Sequence, residues 1–377
     1  MGALCCLLNR LRDRWQRERL KCTVTRMNVY HLSIHRVPGI IGLPDTVDVE
    51  LVPVSTENKT RAFLTMTRDP YYLHLRRLAA ISRSIHNKVS GREAQGSLPE
   101  EQFASVLAGI QIQEGIRFDS PLLIAEATGT ANPVETEKAN GLGDIGFGLS
   151  LFEDAKLVED AKQAIEAAIT GLALALPTGE FREIETLGTV SYFVDPVTNR
   201  TVYSLNNNFI KASGSVSTSV TAETLATAAK YAKGLRADVK LRTVGRLLSQ
   251  SSLATDNLTA FLTAWAGLEV FANKTFKDAY EPLAFATLEN ASPAARKPFL
   301  ERLRDVMNGK YNIRDKFVVI ASELDVADAD ADIDAFQEVK KQRDAVHDMS
   351  VPPDTLPTER VRGLLRKYLR LHLTRKT

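Results

Sequence analysis

Beyond Cys22 the chain has no cysteine: its three, Cys5, Cys6 and Cys22, all precede Met27. Three cysteines crowded at one end cannot staple a fold together, so a reducing, cytoplasmic setting is the expectation. Long hydrophobic runs are missing too, and nothing approaches the roughly 18 apolar residues of a membrane-spanning helix. Charge of one sign is equally scarce. Lys and Arg total 48 against 46 Asp and Glu, a formal net charge of +2. That balance excludes both the strongly basic surface of a nonspecific nucleic-acid binder and an acidic tail.

The exception to this evenness is the first segment, residues 1–26. Arg10, Arg12, Arg14, Arg17, Arg19, Lys21 and Arg26 there face only Asp13 and Glu18. Leu4, Leu7, Leu8, Leu11 and Trp15 fall at helical spacing, so a short basic amphipathic helix on an anionic membrane or a partner is one reading. A segment upstream of a true start at Met27, or a disordered extension, is the favoured explanation of the composition, and membrane contact through residues 1–26 is not expected. It lacks the apolar length and cleavage site of a secretory signal.

With 44% hydrophobic residues, the remainder can bury one large core or two. Residues 27–214 read as a mixed α+β region of unassigned role. "NVYHLSIHRV", "TVDVELVPVS" and "RFDSPLLIAEA" have strand patterns, and "PEEQFASVLAGIQIQ" reads as a helix. "TGTANPVETEKANGLGDIGFG" reads as an exposed loop. A helix over "FEDAKLVEDAKQAIEAAITGLALALP" and a hairpin over "REIETLGTVSYFVDPVTNRTVYSLNNNF" complete the region.

After "KASGSVSTSV" the strand signals stop, and residues 215–377 read as an all-α bundle. Thr221 caps a long helix running through Leu225, Leu235 and Leu248. Leu258, Phe261, Leu262, Trp265 and Leu268 form one stripe on the next helix. Ser292-Pro293, Asp315 and Thr358 mark further helix starts. The fold class expected is therefore α+β, a mixed N-terminal region followed by helices.

Several motifs have plainer explanations than chemistry. "GLGDIG", Gly141–Gly146, satisfies a dinucleotide-binding pattern, but the polar "NPVETEKAN" before it is no buried strand, so no cofactor is expected. Asp328, Asp330 and Asp332 begin a calcium-loop pattern, yet Ile333 and Val339 stand where glycine and glutamate are required. An acidic helix start accounts for them. His31 and His35 share a strand face without a carboxylate or cysteine partner, so no metal is expected there either.

"QRDAVHD", Gln342–Asp348, asks for more. Placed on a helical wheel with Ile333 as its origin, Phe336, Val339 and Val346 mark out one apolar arc. Arg343 and His347 fall inside that arc, where an arginine must be paired or hydrogen-bonded. A structural explanation is an internal ion pair from Arg343 to Glu269, with His347 capping its own helix. The functional one is a pair facing a groove or interface.

Here the C-terminal region, about residues 215–377, resembles the HEPN superfamily and, within it, the Apea-like group. "AWAGLEVF" is similar to that group's tryptophan helix, Arg343-Asp344…His347 to its signature, and "LPTERVRGLLRKYLRLHL" to its closing helix. The resemblance implies a homodimeric bundle and a metal-independent endoribonuclease, a toxin or antiphage effector with an antitoxin or regulatory partner. Arg343 would hold the scissile phosphate, His347 would act as general acid or base, and Asp344 would orient it. The product would be a 2′,3′-cyclic phosphate. The spacing is shorter than the family's usual one, and alignment on His347 puts Gln342 at the arginine position. The alternative is a non-catalytic RNA-binding or dimerisation module. On the last helix Arg360, Arg362 and Arg366 are the expected RNA contacts.

Overall fold

The computed structural model describes residues 27–37, 39–41, 43, 48–54, 59–67, 120–131, 155–176, 184–194, 201–207, 218–291, 296–307, 309–347 and 351–376. Residues 1–26, the helix expected over 99–113, "GLGDIG" and Ser292-Pro293 lie outside them.

Strands β1 (Met27–Arg36), β3 (Val49–Val52), β4 (Thr60–Thr65), β5 (Leu122–Ala131), β6 (Glu185–Val194) and β7 (Thr201–Asn207) form one sheet, ordered β3-β4-β5-β1-β6-β7. Its pairings are antiparallel. Two short strands, β2 (Ile40–Ile41) and β8 (Thr218–Ser219), pair in parallel beside it. Side chains alternate across the sheet as the strand period requires. Leu123, Ala125 and Ala127 of β5 enter the main core, while Leu122 and Ile124 join Leu32, Ile34 and Phe63 in a smaller cluster.

Strands β1, β3 and β5 and the β6–β7 hairpin appear where the sequence predicts them. Strand β4 carries no assignment from the sequence. A correction concerns Thr128–Ala131, expected in a loop: they extend β5 and pair with Tyr30–Met27. The pairing continues because Gly129 leaves room for Leu157, whose side chain would lie 3.1 Å from an added Cβ.

Helix α1 (Ala155–Ala175) lies across β4, β5 and β1 and packs on α2 (Ala222–Ala237). Thr221 caps α2 as expected, its hydroxyl accepting from the Thr224 amide at 3.1 Å. The single long helix expected through Leu248 is in fact two. Asp238 leaves helical geometry, and its carboxylate accepts from the amides of Lys240 and Leu241, opening α3 (Val239–Leu253). A short acidic side chain replaces the missing backbone acceptor, so a clean break is stable without glycine or proline.

Asp256 caps α4 (Asn257–Thr275), which runs through a π-helical turn, Phe276–Tyr280, into α5 (Glu281–Ala291). There follow α6 (Arg296–Met307), α7 (Ile313–Leu324), α8 (Ala329–His347) and α9 (Thr358–Lys376). Helix α7 starts with a reciprocal Asn312–Asp315 capping box. Past residue 221 helices are the only regular elements among the described residues of this α+β chain. One apolar core runs from the sheet through α1 into α2, α4, α8 and α9, so regions 27–214 and 215–377 share it.

The α1–α2 contact depends on small residues. A Cβ on Gly171 would stand 2.5 Å from the Ala228 carbonyl oxygen and 2.8 Å from the Ala232 nitrogen. Gly171→Ala gains about 1 kcal/mol of helix propensity, but the backbone clash forces the helices apart. A net loss of about 2 kcal/mol is expected. An unchanged or raised urea midpoint would show that the helices separate freely here.

Candidate functional site

Helix α8 turns its apolar side inward as its periodicity requires. Phe336 and Val339 are fully buried and Ile333 and Val346 partly so. The Phe336 ring stacks on Phe317 at 4.3 Å and 10°, and lies 5.2 Å from Trp265 of α4. Arg343 emerges at the margin of this layer, with 22% of its side chain exposed. Its guanidinium carbon sits 5.1 Å above the Trp265 ring centre.

Two carboxylates flank that guanidinium. Glu269 Oε1, on α4, is 3.5 Å from Nη2, and Asp344 Oδ1 is 3.1 Å from Nε. Asp344 also accepts from Lys340 at 2.8 Å. The four groups cancel in charge, Arg343 and Lys340 against Glu269 and Asp344. Yet the ion pairs are not aligned as hydrogen bonds. Arg343 Nε and Trp265 Nε1 are both buried without a hydrogen-bond partner. A buried donor left unsatisfied costs about 1–3 kcal/mol, and here two lie on neighbouring side chains.

His347 is the last residue of α8. One helical turn beyond Arg343, its backbone lies on the same side of the helix; its side chain lies outside the described residues.

The arginines expected to face RNA are engaged within the fold. Arg360 pairs with Glu338 of α8. Arg362 is largely enclosed: Nε donates to Ser251 Oγ at 2.9 Å, Nη2 to the Ser251 carbonyl, and Nη1 pairs with Glu359. Arg366 is half-buried. Further along α9, Arg370 donates to the Leu176 carbonyl at 2.8 Å and Arg375 pairs with Glu323. The basic residues of this helix stitch it to α1, α3, α7 and α8. Sequence spacing showed the charges but not their partners.

The acidic run before α8 has the same role. Lys367 Nζ lies 2.8 Å from Asp325, 3.0 Å from Asp328 and 2.7 Å from Asp332, and Tyr368 donates to Asp332 at 2.7 Å. Burial works against the Lys367 charge, but the hydrogen bonds it donates to three carboxylates hold its pKa above the lysine range. Asp330 points to solvent. Asp325 and Asp328 lie in the turn between α7 and α8, so helical spacing does not show that they converge with Asp332 on Lys367.

His31 and His35 line the helix-side face of β1. His31 Nδ1 bonds Ser191 Oγ at 2.7 Å, and His35 bonds Ser33 Oγ at 2.6 Å and Thr186 Oγ1 at 3.1 Å. Burial pushes both pKa values down to about 4, with His31 lowering His35 further. Hydroxyls meet both ring nitrogens of His35 and Nδ1 of His31, partners that suit neutral imidazoles. Among the described residues no group of three His, Cys, Asp or Glu could hold a metal ion, and no helix is long and apolar enough to cross a membrane. An apolar cleft lined by Val37, Ile40, Ile169, Leu172 and Ile184 offers no acid, base or nucleophile.

No family model, no curated protein and no solved structure matches the chain.

Proposed function

We propose that this chain is a HEPN-like effector that acts on RNA as a homodimer, cleaving it without a metal through Arg343 and His347. The observation that carries this reading is the guanidinium of Arg343. It is half-buried on the penultimate helix, braced on Trp265, and makes ion pairs that leave its buried Nε without an aligned acceptor. A phosphate oxygen is the acceptor that such a group prefers.

In the reaction a ribose 2′-hydroxyl attacks the adjacent phosphorus, and the bond from phosphorus to the 5′ oxygen breaks. The products are a 2′,3′-cyclic phosphate and a 5′-hydroxyl. His347 of one copy takes the 2′-hydroxyl proton, and His347 of the second copy protonates the leaving oxygen. Arg343 stabilises the charge that builds on the phosphate.

A second reading has its own observation. Glu269, Asp344 and Lys340 already balance Arg343, which suits a non-catalytic RNA-binding or dimerisation module. Cleavage of RNA in EDTA separates the two. The parent is expected to cut, and His347→Ala to lose about 100-fold or more. Glu269→Gln, by releasing Arg343, is expected to tighten RNA binding under either reading. Equal activity in the parent and His347→Ala, or none in either, leaves only the binding module. A strictly monomeric protein by light scattering would remove the shared cleft.

A further inference from the structure

Three half-buried arginines, Arg236, Arg242 and Arg370, make no ion pair among the described residues, unlike several others in this fold. Arg36 has Glu185, Arg343 has Glu269, and Arg362 has Glu359. Arg236, in the last turn of α2, makes one long hydrogen bond, 3.4 Å to the Asp160 carbonyl. Arg242, in the opening turn of α3, donates Nη1 to the neutral amide oxygen of Gln163, and its Nε is buried without a partner. Neither makes an ion pair among the described residues.

Asp160 and Gln163 are three residues apart on α1, so the two guanidinium groups dock about one turn apart on the same helix face. We propose that Arg236 and Arg242 together form a binding site for a phosphate group, free in solution or carried by a small phosphorylated ligand.

The surroundings support a small anion. Arg242 sits in the first turn of α3, the positive end of that helix dipole, while both arginines dock on α1 beyond its first turn. Arg370, which has no carboxylate either, meets instead the C-terminal carbonyl of α1, where a cation is favoured. Burial lowers the Arg236 pKa, the Asp160 carboxylate raises it, and Arg242 lowers it again. Of the nearby acids, the Asp160 carboxylate acts on Arg236 more strongly than Arg242 does, and two others are engaged elsewhere. Glu159 accepts from Gln163 at 2.9 Å, and Asp238 Oδ1 takes two backbone amides. Two half-buried like charges repel one another unless an anion bridges them. Two planar forks match the geometry of a compact phosphate.

The test is calorimetric titration of the full-length protein with inorganic phosphate, in chloride buffer at constant ionic strength. Saturable binding is expected, about tenfold or more weaker in Arg236→Gln and Arg242→Gln. Arg375→Gln should bind like the parent. Without phosphate, the glutamine variants should unfold at no lower urea concentration than the parent. Arg242→Lys keeps the charge but loses the fork, and weaker phosphate binding by it than by the parent is expected as well. The proposal is overturned if the parent does not bind phosphate, if the variants bind equally, or if glutamine destabilises the phosphate-free protein. An Arg242-dependent response to a short RNA but not to phosphate would also overturn it, making these residues an RNA backbone contact.

Discussion

Acidification from pH 6.5 towards pH 4 is expected to strip stability from the sheet, well before most carboxylates are protonated. His31 and His35 have folded pKa values of about 4 against an ordinary 6.5. The unfolded chain therefore takes up protons first, and stability falls as pH drops through this window. Above 6.5 the contribution of the neutral, buried rings is intact; below about 4 nothing further is lost from them. Each pKa unit corresponds to about 1.4 kcal/mol, so two rings depressed together outweigh any single surface interaction. Asp256 and Asp325, whose pKa values are lowered by the Thr259 amide and by Lys367 respectively, act in a different window. Their contributions are lost only as pH falls below the ordinary carboxylate value of 3.8. Urea midpoints at pH 7 and pH 4.5 for the parent and the His31→Gln/His35→Gln double variant check this. An acid loss of the same size in both would place its origin elsewhere.

Phe336→Ala is expected to remove about 3–5 kcal/mol, the usual range for emptying a buried phenylalanine site. Phe336 has no exposed surface and lies between the rings of Phe317 and Trp265. Against a typical total stability of about 5–15 kcal/mol, that is a large fraction. The same change removes the support beneath Trp265, on which Arg343 rests. Phe336→Leu retains most of the volume and should lose less. A urea midpoint for the alanine variant within error of the parent would mean that neighbouring rings close the gap.

Much of the candidate site was legible because helical periodicity is local. Ile333, Phe336, Val339 and Val346 define an inward arc from spacing alone, and Arg343 is found at its margin. Glu269 could even be named as a partner. The bare donors on Arg343 and Trp265 could not, since they depend on alignment between α4 and α8. The basic residues of α9 show the limit most plainly. Their one-dimensional pattern suits a stripe offered to RNA, but Arg362 reaches Ser251 and Lys367 reaches three aspartates. Charge is written in the sequence, whereas its neutralising partner is chosen by packing.

The sequence by itself determined the class of the fold and its order: strands with a period of two, then helices with a period of 3.6 and recognisable caps. It also determined that any charge on the inner side of α8 must be met. Tertiary structure alone decided that the sheet region and the bundle share a core, because that contact rests on Gly171 meeting Ala228 and Ala232 across distant segments. It alone decided which cations are clasps and which retain unused donors. Periodicity acts over a few residues, while burial and pairing are set by neighbours tens or hundreds of residues away.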